Sequence, residues 1–587
     1  MKFLRNLLAS ILGSMIAFGI MFMFLLILVA LAGSTDAVKP VSKNTVLQIA
    51  FDMPVNDYGG KFRYTDLQYE FEGYNGLNNI LRAIEKAKTD TNIKGISIQS
   101  TLLSTGAASV RAIRNALSDF KESGKFVYAY GDLFLQKNYY LASVADTIFL
   151  NPKGEMDFRG LSSEVLFYKD LQEKTGVKME VIRHGKYKSA VEPYLNQNMS
   201  KENREQITEL LESVWGTYLT DISENRGISV EKLDGFADEL AARTPALALE
   251  NNFVDVLGYF DEYAEMIRKK VGLSSTEDLN FISIRDYSEV VARTARSGGS
   301  NRIAVVYAQG EIGYGKGSES YIGQEIMHKA LKNAREDDRV KAVVVRINSP
   351  GGIALTSDII WREMEITKKE KPLIVSMGDY AASGGYYMAA AGQHIFAEPN
   401  TITGSIGVFA TIPNVSELAE KWGINAEQVN TNKNSTAYSL FEPADESFKE
   451  FLKEQIEEFY QDFITLVANA RGMEVAAVDS IAQGRVWTGN QAKANGLVDE
   501  IGGLKDAIAY AASEAGVSDY TVNDYPVYET SLEELLKGLS GFGFMESRED
   551  LIKEELGEEF YGLMQRVKTA VSQRGLQARM PFEINIK

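Results

Sequence analysis

An α/β fold, present twice in tandem behind one apolar N-terminal segment, is what this sequence predicts. Three observations carry the reading. Strand-like β-branched runs alternate with amphipathic helical stretches, the pattern of a largely parallel sheet. The pattern returns 247 positions later with matching residues. Ahead of both copies, residues 7–32 run for 26 positions without a charge.

The apolar segment comes first in the chain. About 20 apolar residues cross a bilayer, and cleavable leader cores run to only about 7–15, so a retained transmembrane anchor is expected. Ala30-Leu31-Ala32 keeps open the rival reading of a cleaved leader. Lys2 and Arg5 precede the run and no other charge comes before Asp36. That asymmetry keeps the N-terminus cytoplasmic and sends the rest across. The anchor and its linker are expected to span residues 1–45.

The duplication is read from residues. Gly131-Asp132 recurs as Gly378-Asp379, Tyr139-Tyr140 as Tyr386-Tyr387, Ile148-Phe149 as Ile395-Phe396, Pro152 as Pro399 and Gly160 as Gly407. Residues 131–160 and 378–407 share 9 identities in 30 ungapped positions, where average composition would give about two. A first repeat over 46–296 and a second over 297–530 follow, with a flexible seam at Arg296-Ser297-Gly298-Gly299-Ser300. A charged segment of helical pattern, 531–587, closes the chain.

In the second copy, Ile303–Gln309 and Ala342–Ile347 read as strands, and Gly323–Arg335 between them reads as a helix. Asn348-Ser349-Pro350-Gly351-Gly352 is a turn. Ser357–Lys369 is a helix, Leu373–Met377 a short strand, and a small-residue helix is expected to start near Ala381. A long helix covers Glu442–Ala470. In the first copy, Met179–Ile182 is strand-like.

Composition narrows the chemistry. The chain has no cysteine and only 3 histidines, which removes thiolate chemistry and leaves little for a metal site. No cofactor is expected. A net charge of −18 repels phosphate backbones, so nucleic acid is not an expected partner. The chemistry is left to Ser, Thr, Lys, Tyr or carboxylates.

The two copies differ where chemistry would sit. Tyr380-Ala381-Ala382-Ser383-Gly384-Gly385-Tyr386 places a serine among small residues at a strand-to-helix turn. That can expose a hydroxyl beside the Gly384 amide, as a serine nucleophile with one oxyanion donor requires. Gly351 or Gly352 in the neighbouring turn can present a second amide. In the first copy Ser383 becomes Gln136, and the turn becomes Leu102-Leu103-Ser104-Thr105. Small residues that simply let a helix pack on a sheet are the bland reading of the same string. His184, His328 and His394 lack the context of a base. Lysine can serve when neutral, if burial lowers its pKa from about 10.4. Lys188, in His184-Gly185-Lys186-Tyr187-Lys188-Ser189-Ala190-Val191-Glu192-Pro193, is the candidate, and Ser435 stands at its place in the second copy. A lone lysine is more often a solvated surface charge.

Together these strings resemble the signal peptide peptidase A (protease IV) family in its long, duplicated form. The resemblance rests on Asn348–Gly352, Ala381–Tyr386, Thr403-Gly404-Ser405-Ile406-Gly407, Tyr187–Pro193 and the tail Leu576-Gln577-Ala578-Arg579-Met580-Pro581-Phe582. It implies two tandem domains of the fold shared by Clp protease and crotonase. It also implies a Ser/Lys dyad that degrades signal peptides left in the membrane. Ser383 then matches the nucleophile, Lys188 the general base, Ser405 the residue orienting the amine, and Gly352 and Gly384 the oxyanion hole, with Gly351 a near alternative. Expected partners are signal peptides and other extended apolar peptides, the membrane, and further copies of the chain in a homo-oligomeric ring. The expected location is the inner membrane, with the catalytic body on the periplasmic side. Two other classes are a crotonase-type acyl-CoA enzyme and a non-catalytic tethered scaffold. The first needs neither serine nor anchor. The second would be favoured by loss of Ser383, Lys188 or the glycine pair, all of which are present.

Overall fold

Equivalent elements of the two copies begin 247 residues apart, at the offset of the sequence repeat. The strands Ile93–Ile98, Phe126–Phe134 and Thr147–Met156 correspond to Val340–Ser349, Leu373–Ala382 and His394–Ala397. The helices Leu77–Thr89 and Ala107–Lys121 correspond to Gln324–Glu336 and Ala354–Lys368. This computed structural model describes residues 2–34, 41–51, 54–64, 69–99, 103–274, 276–294, 300–436, 438–530 and 576–580. Residues 296–299 of the expected seam, Leu102 and most of 531–587 lie outside the described residues.

The first copy forms a parallel sheet in the order Val256–Leu257, Thr147–Met156, Phe126–Phe134, Ile93–Ile98, Thr45–Ile49, Asn280–Ser283. The second forms a mainly parallel sheet with Leu373–Ala382, Val340–Ser349 and Arg302–Gln309 at its centre. Helices cover both faces, so the central strands read as unbroken apolar runs. Along Val340–Ser349 the side chains alternate between cores. Val343, Val345 and Ile347 face one cluster, and Ala342 and Val344 face the other.

The expected strand at Leu373–Met377 continues to Ala382, and the following helix starts at Gly384 rather than near Ala381. The cause is pairing: Ala381 and Ala382 stand against Thr403 and Gly404 in the adjacent strand. The long helix runs over Glu446–Arg471, four residues later than its expected start, because the Asp445 side chain caps it by accepting from Ser447 N.

A third sheet joins the copies. Its order is Tyr321–Ile322, Glu311–Ile312, Gly351–Ile353, Gln577–Arg579, Phe409–Asn414, Lys178–Arg183. The last two strands are antiparallel and come from different copies, with Phe409 opposite Arg183 and Asn414 opposite Lys178. This seam carries the chain from Arg183 of the first copy directly toward Ser383 of the second.

The N-terminal residues form a helix, Lys2–Ser34. Its described apolar side chains, including Met15, Phe18 and Phe24, are exposed. Among the described residues no helix is long and apolar enough to cross a membrane.

Candidate active site

Ser383 sits at the junction between the strand Leu373–Ala382 and the helix Gly384–Ala389 with φ +55° and ψ −114°. A side chain held at positive φ is strained, and such strain persists only where surrounding structure fixes it. Here Ser383 N donates to Gly404 O at 2.8 Å and Ser383 O accepts from Tyr387 N at 2.9 Å. The turn aims Oγ at the inter-copy seam.

Lys188 reaches the same point from the first copy. Leaving the strand Lys178–Arg183, the chain turns at Gly185, which has φ +96°, and Tyr187 N donates to Gln483 O at 3.0 Å. Arg183 Nη1 donates to Lys188 O at 3.0 Å. Lys188 Nζ then lies 2.9 Å from Ser383 Oγ, 2.9 Å from Ser405 Oγ and 3.1 Å from Ser405 O. Lys188, Ser383 and Ser405 are each 0% exposed. Ser405 is itself held at φ +50°, with its N donating to Arg485 O at 2.7 Å.

Burial pushes the Lys188 amine well below the ordinary lysine value, and burial is the whole cause. Among the described residues no carboxylate forms an ion pair with it. The Phe409 ring closes one side of the pocket at 5.9 Å from Nζ. A neutral amine within hydrogen-bond reach of a serine hydroxyl can take its proton. Lys186, the neighbouring candidate, is exposed, with its amine over the Tyr187 ring instead.

The glycines are used for their missing side chains. Gly351 and Gly352 have φ +100° and +157°. A Cβ on Gly351 would strike Ala578 O, and one on Gly352 would strike Ile312 O. A Cβ on Gly384 would strike Ser357 Oγ. Gly351 N donates to Ser349 Oγ at 3.2 Å.

The histidines are occupied elsewhere. His184 stacks on Tyr460 and its Nδ1 lies 2.9 Å from Glu457. His328 pairs with Glu363, and His394 stacks on Tyr510. In the first copy Gln136 fills the place of Ser383. Its Nε2 donates to Gly160 O at 2.9 Å, as Ser383 Oγ reaches Gly407 O at 3.5 Å one repeat later. Ser435 lies exposed in a loop.

Sequence reasoning missed three participants. Gly484 packs so closely on Lys188 that a Cβ there would sit 2.6 Å from Lys188 Cβ. Phe409 walls the amine. The strand Gln577–Arg579 pairs antiparallel with Gly351–Ile353. The glycine at 484 offered no motif, and the tail strand sits far from the site in sequence.

Peptidase family S49 matches the chain twice, over residues 119–274 and 365–518. The chain is similar to Protease 4 of Salmonella typhi, at 37% identity over 80% of this chain and 76% of that protein. It is similar to the chloroplastic serine protease SPPA of Arabidopsis thaliana, at 33% identity over 85% of this chain and 74% of that protein. A ClpP1 structure from Listeria monocytogenes matches 35% of this chain and 94% of its own at 19% identity, with a TM-score of 0.23, a likeness too loose to inform the site.

Proposed function

The chain belongs to peptidase family S49 and is a serine peptidase, and on that premise we propose that Ser383 is its nucleophile and Lys188 its general base. The carrying observation is the 2.9 Å separation of Nζ and Oγ in a fully buried site. Ser405 orients the amine. The amides of Gly352 and Gly384 hold the oxyanion.

In this reading Ser383 Oγ attacks the scissile carbonyl while its proton passes to neutral Lys188 Nζ. Negative charge develops on the carbonyl oxygen and is met by the two glycine amides, fixed in advance by the turn and the helix start. The ammonium then protonates the leaving amine, and the C–N bond breaks to leave an acyl-serine. Water, deprotonated by the same amine, attacks the ester and frees Ser383. Desolvation that keeps the amine neutral is what lets a lysine act near neutral pH.

The substrates are signal peptides and other extended apolar segments, which would bind as added strands beside Ser383. The helix Lys2–Ser34, with its uncharged run and exposed apolar side chains, is read as a retained anchor in the inner membrane that leaves the body on the periplasmic side. The boundaries 1–45, 46–296, 297–530 and 531–587 remain the proposed division. Incubating the full chain in detergent with a synthetic signal peptide tests the activity: fragments should form with wild type and not with Ser383→Ala. A chain that cleaves folded proteins as readily, or leaves the peptide intact, would contradict it.

The internal repeat also supports a homo-oligomeric ring. Lys178–Arg183 pairs with Phe409–Asn414 inside the chain. One repeat away on each, residues 425–430 and 162–167 form no strand. Apolar side chains near them stay exposed, with Trp422 at 78% and Val429 at 100%, around an open hollow lined by Val415, Leu418 and Phe441. A second copy of the chain would pair 162–167 against 425–430 and repeat the internal seam. Such a heterologous contact closes into a ring or runs on.

A further inference from the structure

A short turn of the second copy, residues 482–486, is bonded around the whole site. Gln483 and Gly484 have φ +55° and +81°, and the chain doubles back there beside Lys188. Gln483 O accepts from Tyr187 N at 3.0 Å, and Gly484 N donates to Ile406 O at 2.8 Å. Arg485 O accepts from Ser405 N at 2.7 Å. Val486 then stands opposite Gly404 in the sheet, and Gly404 O is the acceptor for Ser383 N. A Cβ on Gly484 would sit 2.6 Å from Lys188 Cβ, so any shift of the turn moves the lysine stem.

The Arg485 side chain ties this turn to the first copy. Its guanidinium carbon lies 4.7 Å from the centre of the Tyr187 ring and 4.4 Å from that of Trp487. Nη1 donates to Glu205 at 3.2 Å and to Tyr187 Oη at 3.3 Å, and Nη2 donates to Glu209 at 2.5 Å. Both carboxylates belong to the helix Lys201–Arg226. Gln206 of that helix closes the other side: its Nε2 donates to Tyr187 O at 3.1 Å and its Oε1 accepts from Val486 N at 3.4 Å. The side chains of Glu205 and Glu209 are 42% and 43% exposed, and pairs that exposed add little to folding. A planar cation between two rings fixes an orientation instead, which a lysine ammonium does not reproduce.

We propose that Arg485 is a positioning residue for the dyad: it clamps the 482–486 turn against Tyr187 and so sets where Lys188 and Ser405 stand relative to Ser383. This rests on the dyad assignment above and adds to it a residue that acts through its neighbours. A misplacement of about 1 Å costs a reacting pair about a hundredfold. A loosened turn also admits water to the amine, whose neutrality depends on burial.

The test uses the full chain in detergent with a short soluble peptide substrate. Arg485→Met keeps the apolar stem and removes the planar cation. It should lower kcat by about tenfold to a hundredfold, with KM within about twofold of wild type. The midpoint of its rate–pH profile should move up, since a hydrated Lys188 returns toward its ordinary pKa and stays charged to higher pH. Arg485→Lys, which keeps charge but not the flat stack, should fall between the two. A folded Arg485→Met with the wild-type melt, kcat and pH midpoint overturns the inference. So does a lower kcat with an unmoved midpoint and no recovery in Arg485→Lys, which marks a structural role. If Arg485→Met does not fold, the double variant Glu205→Gln/Glu209→Gln decides: a several-fold loss in kcat with a raised midpoint supports the clamp, and an unchanged profile overturns it. Ser383→Ala is assayed alongside. Activity surviving in it removes the dyad, and this inference with it; activity lost in it but unchanged in Arg485→Met removes only the role of the arginine.

Discussion

Lys188 Nζ and Ser383 Oγ stand 2.9 Å apart although 195 residues separate them in the chain. The pair is assembled within one chain, by an antiparallel seam between the two repeats. Neither repeat holds both members, so the proposed dyad is divided between the two repeats. Ser383→Ala and Lys188→Ala should therefore each lower kcat/KM on a peptide substrate by at least about a thousandfold, and the double variant should be little worse. Full activity in Lys188→Ala with loss in Lys186→Ala would point to the other lysine. Mixing the two single variants should restore nothing, since each chain builds its own pair.

With neutral Lys188 as the proposed base, activity should rise with pH through its depressed pKa and persist on the alkaline side. Folding stability carries the same signature. Between the lowered value and the unfolded value near 10.5 the unfolded chain binds more protons, so stability increases with pH across that window. Lys188→Met should flatten both curves. Denaturant melts at several pH values measure the second effect independently of catalysis. A rate profile unchanged in shape by Lys188→Met would reject the assignment.

Ser405→Ala removes one of the two oxygens of that residue within reach of the amine. The loss of a buried hydrogen bond of about 1–3 kcal/mol predicts a drop in kcat of about tenfold to a hundredfold with KM nearly unchanged. A shift in the pH midpoint should accompany it, which a purely structural role would not produce. Separate kcat and KM values across pH check this.

Val429→Asp should weaken self-association, because it puts a charge in the unpaired stretch 425–430 while leaving the dyad untouched. Sedimentation of wild type and variant in detergent reads the change. Equal masses would remove that edge from the assembly.

The central sheets were legible because parallel strands buried on both faces need unbroken apolar runs, and because Gly131-Asp132 and Gly378-Asp379 fix the repeat without gaps. Subtraction of one copy from the other singled out Ser383 and Lys188 as candidates, and the family resemblance of the joined motifs assigned their roles. What escaped was long-range pairing. Local pattern gave no reason for Leu373–Ala382 to run past Met377, since small alanines suit helix and strand alike until Thr403 and Gly404 are placed beside them. Nor could spacing show that Gln577–Arg579 folds back onto Gly351–Ile353, or that Gly484 must be bare to admit Lys188.

Labelling of the wild-type chain by a fluorophosphonate, followed by mass mapping of its peptides, tests the dyad most directly. A single adduct on Ser383 should form, faster as pH rises, and should be lost in Lys188→Ala. An adduct on another serine, or labelling of Ser383 at the same rate in Lys188→Ala, would contradict it.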